Sequence, residues 1–244
     1  MPKLSKQAVK KHEAALVALE RIKDEPRNIN LREQVLRDYR ADYDHNITWN
    51  NAFFTPPELA HEMMIECAGN GRVLDLCAGI GGLALAYGLR FANHIGKLSQ
   101  LDITCVERSQ SFVDIGRKLL PEARWIVGDI RDPDLLKGER FDEVISNPPF
   151  GAVHERQKHE SKHMEFIAAE TAMRLSDRGT FIVPHSVLSW RMNAQRFERF
   201  ENAKYESWSQ RTGLAFEANC GICVDHIKFA QTNIRVEIAN LERV

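Results

Sequence analysis

The chain has 244 residues, 43% of them hydrophobic, and a formal net charge of −1. This size and composition suit one folded domain with an appendage, and the near-zero charge argues against binding to nucleic acid through bulk charge alone. The five cysteines are scattered and odd in number, which favours a reducing cytoplasm over a disulfide framework. Because the N-terminus is charged and no apolar run approaches the roughly 20 residues of a membrane helix, we expect a cytoplasmic protein.

Two amphipathic helices are predicted within residues 3–42, where apolar residues recur near helical spacing. Pro26 and residues 28–30 interrupt the pattern between them. Acids balance the lysines and arginines of this segment, so a solvated face is the expected interpretation and an arm that contacts DNA is the alternative. We predict an N-terminal helical extension over residues 1–45 and one further domain over residues 46–244.

A third helix is predicted after Thr55, which suits a helix cap with Pro56 at the first helical position. Glu58 would complete a capping box, and the helix is expected to end near Cys67. The aromatic residues ahead of the cap either pack beneath this helix or cover a ligand at the edge of a sheet: Trp49, Phe53 and Phe54.

Residues 72–77 are predicted to form a buried strand, which a glycine-rich turn joins to an apolar helix from Leu83 to about His94. A strand, a glycine turn and a helix in this order open a doubly wound nucleotide-binding fold. Glycines let a ligand approach the backbone, and the helix start offers free N–H groups. Asp75 at the strand end would repel phosphate but suits an ammonium group, which favours S-adenosylmethionine over a dinucleotide.

Further strands are predicted at residues 101–107, 123–127 and 141–146. Glu107 lies about as far beyond the glycines as an acid that binds ribose hydroxyls. Asp129 is placed to accept from an adenine amino group, with Ile130 against the ring. One edge of a parallel sheet would then carry four polar side chains, at the position where such folds bind ligands: Asp75, Glu107, Asp129 and Asn147.

The strand at residues 141–146 ends abruptly in Asn147-Pro148-Pro149-Phe150. Two prolines remove two backbone donors and fix φ, so the strand cannot continue and a rigid turn is predicted. This turn presents the amide of Asn147, the carbonyl of Pro148 and the ring of Phe150. Two acceptors and a ring suit a flat group that bears an amino nitrogen; a strand-end turn with a buried phenylalanine is the alternative.

Residues 152–163 are rich in histidine, lysine and arginine. They form either a solvated loop or a segment whose cations contact phosphates: Arg156, Lys158 and Lys162. His159 and His163 are one helical turn apart, but no third ligand is evident. Cys220 and Cys223, with His226 nearby, resemble half of a zinc site without a second pair, and a tight turn with buried thiols is the alternative. We therefore expect no bound metal.

The rest of the chain predicts a helix at residues 166–175, a strand at residues 180–183 and two final strands at residues 214–218 and 234–239. Residues 185–211 are predicted to be a polar helix whose aromatics and arginines either pack on the sheet or bind bases. The expected fold is α/β, a Rossmann-like doubly wound sheet of seven mainly parallel strands with helices on both faces.

In this order the motifs resemble those of class I S-adenosylmethionine-dependent methyltransferases, in particular the adenine-N6 DNA methyltransferases. The resemblance covers about residues 50–190. It implies that the catalytic residues are Asn147, Pro148, Pro149 and Phe150. It implies that the cofactor is bound by Phe54, Thr55, Pro56, Asp75, Ala78, Gly79, Gly81, Glu107, Asp129, Ile130 and Asn147.

The same resemblance implies methyl transfer to the N6 amino group of a flipped adenine in DNA, as in restriction-modification, with DNA as the partner. Residues 185–244 leave no room for a separate target-recognition domain. Specificity would then be minimal, or come from inserted loops, from the N-terminal helices, or from a specificity partner or homodimer. The alternatives are an RNA adenine-N6 or guanine-N2 methyltransferase, a protein glutamine-N5 methyltransferase and a catalytically silent cofactor-binding subunit.

Overall fold

The structure is a computed structural model that describes residues 5–40, 53–92, 95–151, 162–193, 196–229 and 232–244. The α-helices are α1 Lys6–Arg21, α2 Ile29–Asp38, α3 Pro57–Met63, α4 Gly82–Phe91, α5 Gln110–Leu119, α6 Met164–Leu175 and α7 Ala203–Thr212. The strands are β1 Arg72–Leu76, β2 Asp102–Glu107, β3 Arg124–Val127, β4 Glu143–Ser146, β5 Gly179–Pro184, β6 Trp190–Met192, β7 Phe197–Arg199, β8 Leu214–Ala218 and β9 Val236–Arg243. Within these ranges no helix is both long and apolar enough to cross a bilayer.

Seven strands form one sheet in the order β3-β2-β1-β4-β5-β9-β8. The first five pair in parallel, and β9 is antiparallel to both of its neighbours. Strands β4 and β5 are buried along their whole length, as expected for parallel strands covered on both faces. The predicted seven-stranded, mainly parallel sheet is confirmed. Its strand order reverses between β1 and β4, which is where folds of this type form a ligand crevice.

Helices cover both faces of the sheet. On one face α1 to α5 contribute buried side chains such as Leu19, Leu36 and Phe112 to one cluster with residues of the sheet. On the other face α6 and α7 meet the sheet through stacked rings: Phe166 lies 4.4 Å from Trp208, which lies 5.4 Å from Phe216 of β8. Each face therefore has its own apolar core.

The α1–α2 pair is joined to the rest of the molecule by an ion pair between a buried arginine and a partly exposed glutamate. Arg32 on α2 is fully buried, and its two Nη atoms donate to both carboxylate oxygens of Glu122 at 3.0 and 2.8 Å. The same guanidinium also donates to the carbonyl of Pro26. A two-pronged contact of this kind fixes the geometry of both partners, so it sets how the two helices dock beside α5.

The third helix differs from the sequence prediction at both ends. Pro56 occupies the N-cap position and the helix begins at Pro57, so the prediction of Thr55 as the cap and Pro56 as the first helical residue was wrong. The Thr55 hydroxyl instead accepts a hydrogen bond from the side chain of Asn147. The helix also ends at Met63 rather than near Cys67.

The prediction of one helix over residues 185–211 was wrong. The segment forms a 3-10 turn at His185–Val187, an antiparallel hairpin of β6 and β7, and only then helix α7. Contacts with the main sheet hold the hairpin: Trp190 Nε1 donates to the carbonyl of Phe216, and the backbone N–H of Met192 donates to Glu237. Such tertiary bonds override local helix preference.

The Arg32–Glu122 pair makes a stability prediction. We expect Arg32→Ala to lower the free energy of unfolding by about 3 kcal/mol, because it leaves the Glu122 carboxylate without its cation and opens a cavity. Urea denaturation measures the change. Arg21→Ala is the matched control: it removes the exposed Arg21–Glu25 pair and should cost less than about 1 kcal/mol. Equal effects would show that the Arg32–Glu122 pair does not fix the helices.

Candidate active site

The carboxyl ends of β1, β2 and β4 meet at one edge of the sheet. Leu76 at the end of β1 is in register with Val106 of β2 and with Ser146 of β4. The residues that follow each strand are therefore brought side by side: the glycine turn of residues 77–82, the Glu107 carboxylate and the Asn147 amide. This arrangement matches the prediction that separate motifs meet at one edge.

The glycine turn is compact and depends on positive φ angles. Gly79 has φ 57° and Gly81 has φ 96°, a region that side chains with a Cβ rarely adopt. The backbone N–H of Ala78 donates to the carbonyl of Val106, and Gly81 donates to Ala78. A Cβ on Gly79 would lie 3.1 Å from the ring of Phe54. Phe54 thus lies directly over the turn, and Pro56 follows two residues later.

Asp75 lies within β1 rather than at its end, which corrects the predicted position. Its Oδ2 accepts from the backbone N–H of Ala84 at 2.9 Å, one of the N–H groups that a helix start leaves unpaired. Its Oδ1 is buried and has no hydrogen-bond partner among the described residues. Burial raises the pKa of Asp75 to about 7. One oxygen therefore fixes the start of α4, and the other is left to accept.

Glu107 ends β2 and holds two turns together. Its Oε2 accepts from the backbone N–H of Gly79 at 2.9 Å and its Oε1 accepts from that of Ser109 at 2.8 Å. Desolvation raises the pKa of this carboxyl in spite of these bonds. Each carboxylate oxygen has a second lone pair, so the group can still accept from a ribose hydroxyl.

Asp129 follows β3 and is paired with cations. Arg131 Nη2 lies 2.6 Å from its Oδ2, and Arg108 Nε lies 3.4 Å away. Burial raises the pKa of Asp129, but the hydrogen bonds from Arg131 outweigh this and the net shift is downward. Ile130 is buried in the core on the α6 side, and its carbonyl accepts from Thr171. An adenine amino group would share Asp129 with Arg131.

The side chain of Asn147 is held by the segment that precedes the first strand. Its Nδ2 donates to the carbonyl of Phe53 at 3.0 Å and to the Thr55 hydroxyl at 2.9 Å. Because the Phe53 carbonyl can only accept a hydrogen bond, the NH₂ end of the Asn147 amide must face it. The Oδ1 of Asn147 is buried, and no described residue donates to it. The amide is thus locked in one orientation with a free acceptor.

The ring of Phe150 is only 5% exposed. The rings of Phe53 and Phe229 lie 6.1 and 5.9 Å from it, with Phe229 edge-on. Sequence analysis did not single out Phe229, because nothing in the sequence near it indicates that it returns to this turn. These two rings are among the groups that bury Phe150.

Glu165 is a second residue that sequence analysis missed. Its Oε1 accepts from the backbone N–H of Gly151 at 2.8 Å, while Met164 N–H donates to the Gly151 carbonyl at 3.0 Å. Its Oε2 is buried, without a hydrogen-bond partner in the described part of the chain. Burial raises the pKa of Glu165 to about 7. The available signal was a single acid in the first turn of a mostly apolar helix.

The cationic segment after Phe150 is only partly described. Arg156, Lys158 and His159 lie outside the described residues, and Lys162 is exposed. Within the described ranges no group of three or more histidine, cysteine, aspartate or glutamate side chains is arranged to hold a metal ion. The proposed phosphate contacts of this segment remain a prediction.

The decisive comparison is with protein-family models. Residues 58–206 match the model described as the methyltransferase small domain, which covers more than half of the chain. The chain belongs to this methyltransferase family. Membership of this family implies S-adenosylmethionine as the cofactor. No curated protein sequence matches it at a significant level.

Three solved structures of other proteins have the same fold as this chain. A modification subunit of a proposed type I restriction enzyme from Vibrio vulnificus is 17% identical, with a TM-score of 0.58 over 88% of this chain and 48% of the subunit. A proposed class I S-adenosylmethionine-dependent methyltransferase from Listeria monocytogenes is 16% identical, with a TM-score of 0.58 over 93% and 70%. A proposed RNA methyltransferase from Pyrococcus horikoshii is 21% identical, with a TM-score of 0.52 over 82% and 92%. The chain spans about half the length of the Vibrio subunit, and the comparison therefore supports a common fold and nothing more.

The raised pKa of Glu165 predicts a pH-dependent stability difference. The unfolded carboxyl titrates near its usual value of about 4.3, so the folded state binds more protons between that pH and about 7. The stability contributed by this proton is present at low pH and lost as the pH rises through about 7. Glu165→Gln keeps an acceptor for Gly151 without the charge. At pH 8 we expect the free energy of unfolding of this variant to exceed that of the wild type by a few kcal/mol, which raises its urea midpoint. At pH 4 we expect little difference.

Urea titrations at pH 4, 6 and 8 check this expectation. Glu198→Gln is the matched control, because Glu198 is partly exposed and paired with arginines, which lower its pKa. That substitution should not stabilise the protein at pH 8. A Glu165→Gln difference that does not grow with pH would show that the carboxylate is not a buried charge.

Proposed function

We propose that the methyltransferase acts on the N6 amino group of adenine in DNA. The observation that carries the proposal is the Asn147 amide, whose Nδ2 is held by Phe53 and Thr55 and whose buried Oδ1 has no partner among the described residues. A buried acceptor without a donor is costly. An incoming N–H group supplies the missing donor, and Pro148 adds a neighbouring backbone carbonyl.

The proposed chemistry is direct transfer. Asn147 Oδ1 and the Pro148 carbonyl accept the two N–H bonds of the amino group, which draws the nitrogen from planar toward pyramidal and localises its lone pair. When bound, S-adenosylmethionine supplies a methyl group on a positively charged sulfur. Asn147 and Pro148 would hold the amino nitrogen in line with that methyl group, and the proton that the nitrogen gives up on methylation would pass to solvent. Alignment and fixed dipoles supply most of the rate, and no general base is assigned.

The residues around the glycine turn suit the cofactor. Gly79 and Gly81 keep the backbone free of Cβ atoms, and the ring of Phe54 lies beside Gly79 as an apolar wall. The free Oδ1 of Asp75 can accept from an ammonium group, directly or through water. Glu107 is oriented for ribose hydroxyls by its two backbone bonds. We assign the remaining contacts of the cofactor to Thr55, Pro56, Ala78, Asp129, Ile130 and Asn147.

We favour adenine in DNA over the other planar amino groups because hydrogen bonds link the segment that contains Phe53 and Thr55 to the Asn147 turn. The resemblance to adenine-N6 DNA enzymes includes residues 53–57, and here that segment holds the Asn147 amide through Phe53 and Thr55. The target adenine has to leave the duplex to reach this turn. It then takes a place against Phe150 that Phe53 or Phe229 now covers. RNA and protein glutamine are the competing substrates.

The first test removes the acceptor. We expect Asn147→Ala to lose little affinity for S-adenosylmethionine, because Asn147 is one of eleven residues assigned to the cofactor. We expect it to transfer methyl groups about 100- to 1,000-fold more slowly, because the dipole aimed at the amino group is lost. Calorimetry measures cofactor binding, and incorporation of a labelled methyl group into DNA measures turnover. Unchanged turnover would remove the proposed mechanism.

The same label distinguishes the substrates. DNA, RNA and a glutamine-containing protein are offered in parallel to the wild type, and the modified adenines in DNA are located by sequencing. Label in RNA or protein but not in DNA would overturn the assignment to DNA. A wild-type chain that binds S-adenosylmethionine but labels none of the three would support the silent cofactor-binding subunit instead.

A second variant tests the link from Thr55 to Asn147. Thr55→Val keeps the shape of the side chain but removes the hydroxyl that accepts from Nδ2, so the amide loses one of its two restraints. We expect kcat to fall about tenfold, with the KM for S-adenosylmethionine little changed. Thr55→Ser keeps the hydroxyl and should retain near-wild-type kcat. Equal losses in both variants would indicate that packing, and not the hydrogen bond, matters at this position.

A further inference from the structure

The hairpin of β6 and β7 lies at the same edge of the sheet as Asn147. Its tether is Glu237, a buried carboxylate near the start of β9 that accepts from the backbone N–H of Met192 at 2.9 Å. Glu237 is in register with Val183 of β5, beyond the point where β5 pairs with the end of β4. With strands about 4.8 Å apart, the tether lies two strands, or about 10 Å, along the edge from the catalytic turn.

The outer side of the hairpin carries a shallow cavity and two exposed aromatic rings. A shallow cavity of about 560 Å3 is lined by Arg191, Arg196, Phe197, Glu198, Arg199 and Phe200. Two of its rings are unusually exposed for phenylalanine, Phe197 at 38% and Phe200 at 39%. Trp190, buried beneath Phe197 at a ring distance of 5.9 Å, already packs the hairpin onto the sheet. The outer rings are therefore not needed for the core.

The charges of this cavity favour an anionic ligand. Arg191 and Arg196 share the carboxylate of Glu198, so the three arginines of the lining face one acid. Arg199 has no ion-pair partner among the described residues, and its guanidinium lies over the Phe197 ring at 5.6 Å. A flat cation stacked on a ring, next to a second exposed ring, presents two planar surfaces and a positive charge.

We propose that the β6–β7 hairpin binds the DNA strand next to the target nucleotide. Phe200 and the stacked Arg199 offer planar faces to unpaired bases, and Arg199 also reaches a phosphate, a combination that single strands bind without strong sequence preference. An acidic peptide would match the arginines but leave the exposed rings without a partner. The proposal rests on the proposed function, and it places a nucleic-acid contact on the segment between β5 and α7.

The test measures binding of a labelled DNA duplex with an unpaired stretch, by fluorescence anisotropy over a series of salt concentrations. We expect Phe200→Ala to raise Kd about tenfold with an unchanged salt slope, because a stacking contact is lost. We expect Arg199→Ala to raise Kd and to reduce the slope of log Kd against log salt by about 0.9, as for one phosphate contact. For both variants the KM for DNA should rise while kcat at saturating DNA is kept.

Arg140→Ala is the matched control, since Arg140 is exposed, precedes β4 at the opposite edge and pairs only with Asp177 among the described carboxylates. It should change neither Kd nor slope, and calorimetric binding of S-adenosylmethionine should be the same in all variants. If the wild type methylates DNA and both hairpin variants bind it normally, the hairpin proposal fails and the proposed function stands. A wild type that neither binds nor methylates DNA overturns both.

Discussion

The site depends on one pair of hydrogen bonds between distant parts of the chain. Asn147 Nδ2 donates to the Phe53 carbonyl and to the Thr55 hydroxyl, 94 and 92 residues earlier. The bonds join the segment that leads into α3 to the turn that follows β4, and they leave the amide oxygen as the only polar end of the side chain without a partner among the described residues. Phe54 lies in the same segment and covers the glycine turn. The bonds therefore couple the position of the glycine turn to that of the proposed catalytic turn.

Buried carboxylates fix the turns around this pair. Asp75 holds the start of α4, Glu107 holds the glycine turn and the start of α5, and Glu165 holds the far end of the catalytic turn through Gly151. In each case burial raises the pKa. A buried charge opposes folding, so these groups lower stability at neutral pH while they position backbone around the pocket. This combination is typical of sites whose geometry matters more than their stability.

The sequence was sufficient for the sheet but not for contacts made across it. The parallel strands are continuous apolar runs, and their type and order of appearance follow from that local pattern. Thr55 was misassigned as a helix cap because its actual partner, Asn147, is 92 residues away. Glu165 was overlooked for the same reason, since its role depends on Gly151. The β6–β7 hairpin has a locally polar, helix-like sequence, and its extended form depends on bonds from Trp190 and to Glu237.

Groups of the chain itself already contact the side chains proposed to meet the two adenines. Arg131 pairs with Asp129, the residue assigned to the cofactor base, while Phe53 and Phe229 cover Phe150, the residue assigned to the target base. Each base must therefore exchange a protein contact for its own, which lowers net affinity but penalises ligands that cannot replace what they displace. A planar ring with an amino group replaces both kinds of contact, because it can stack and donate. Under the proposed function, the same requirement would select both the donor and the acceptor of the methyl group at one edge of one sheet.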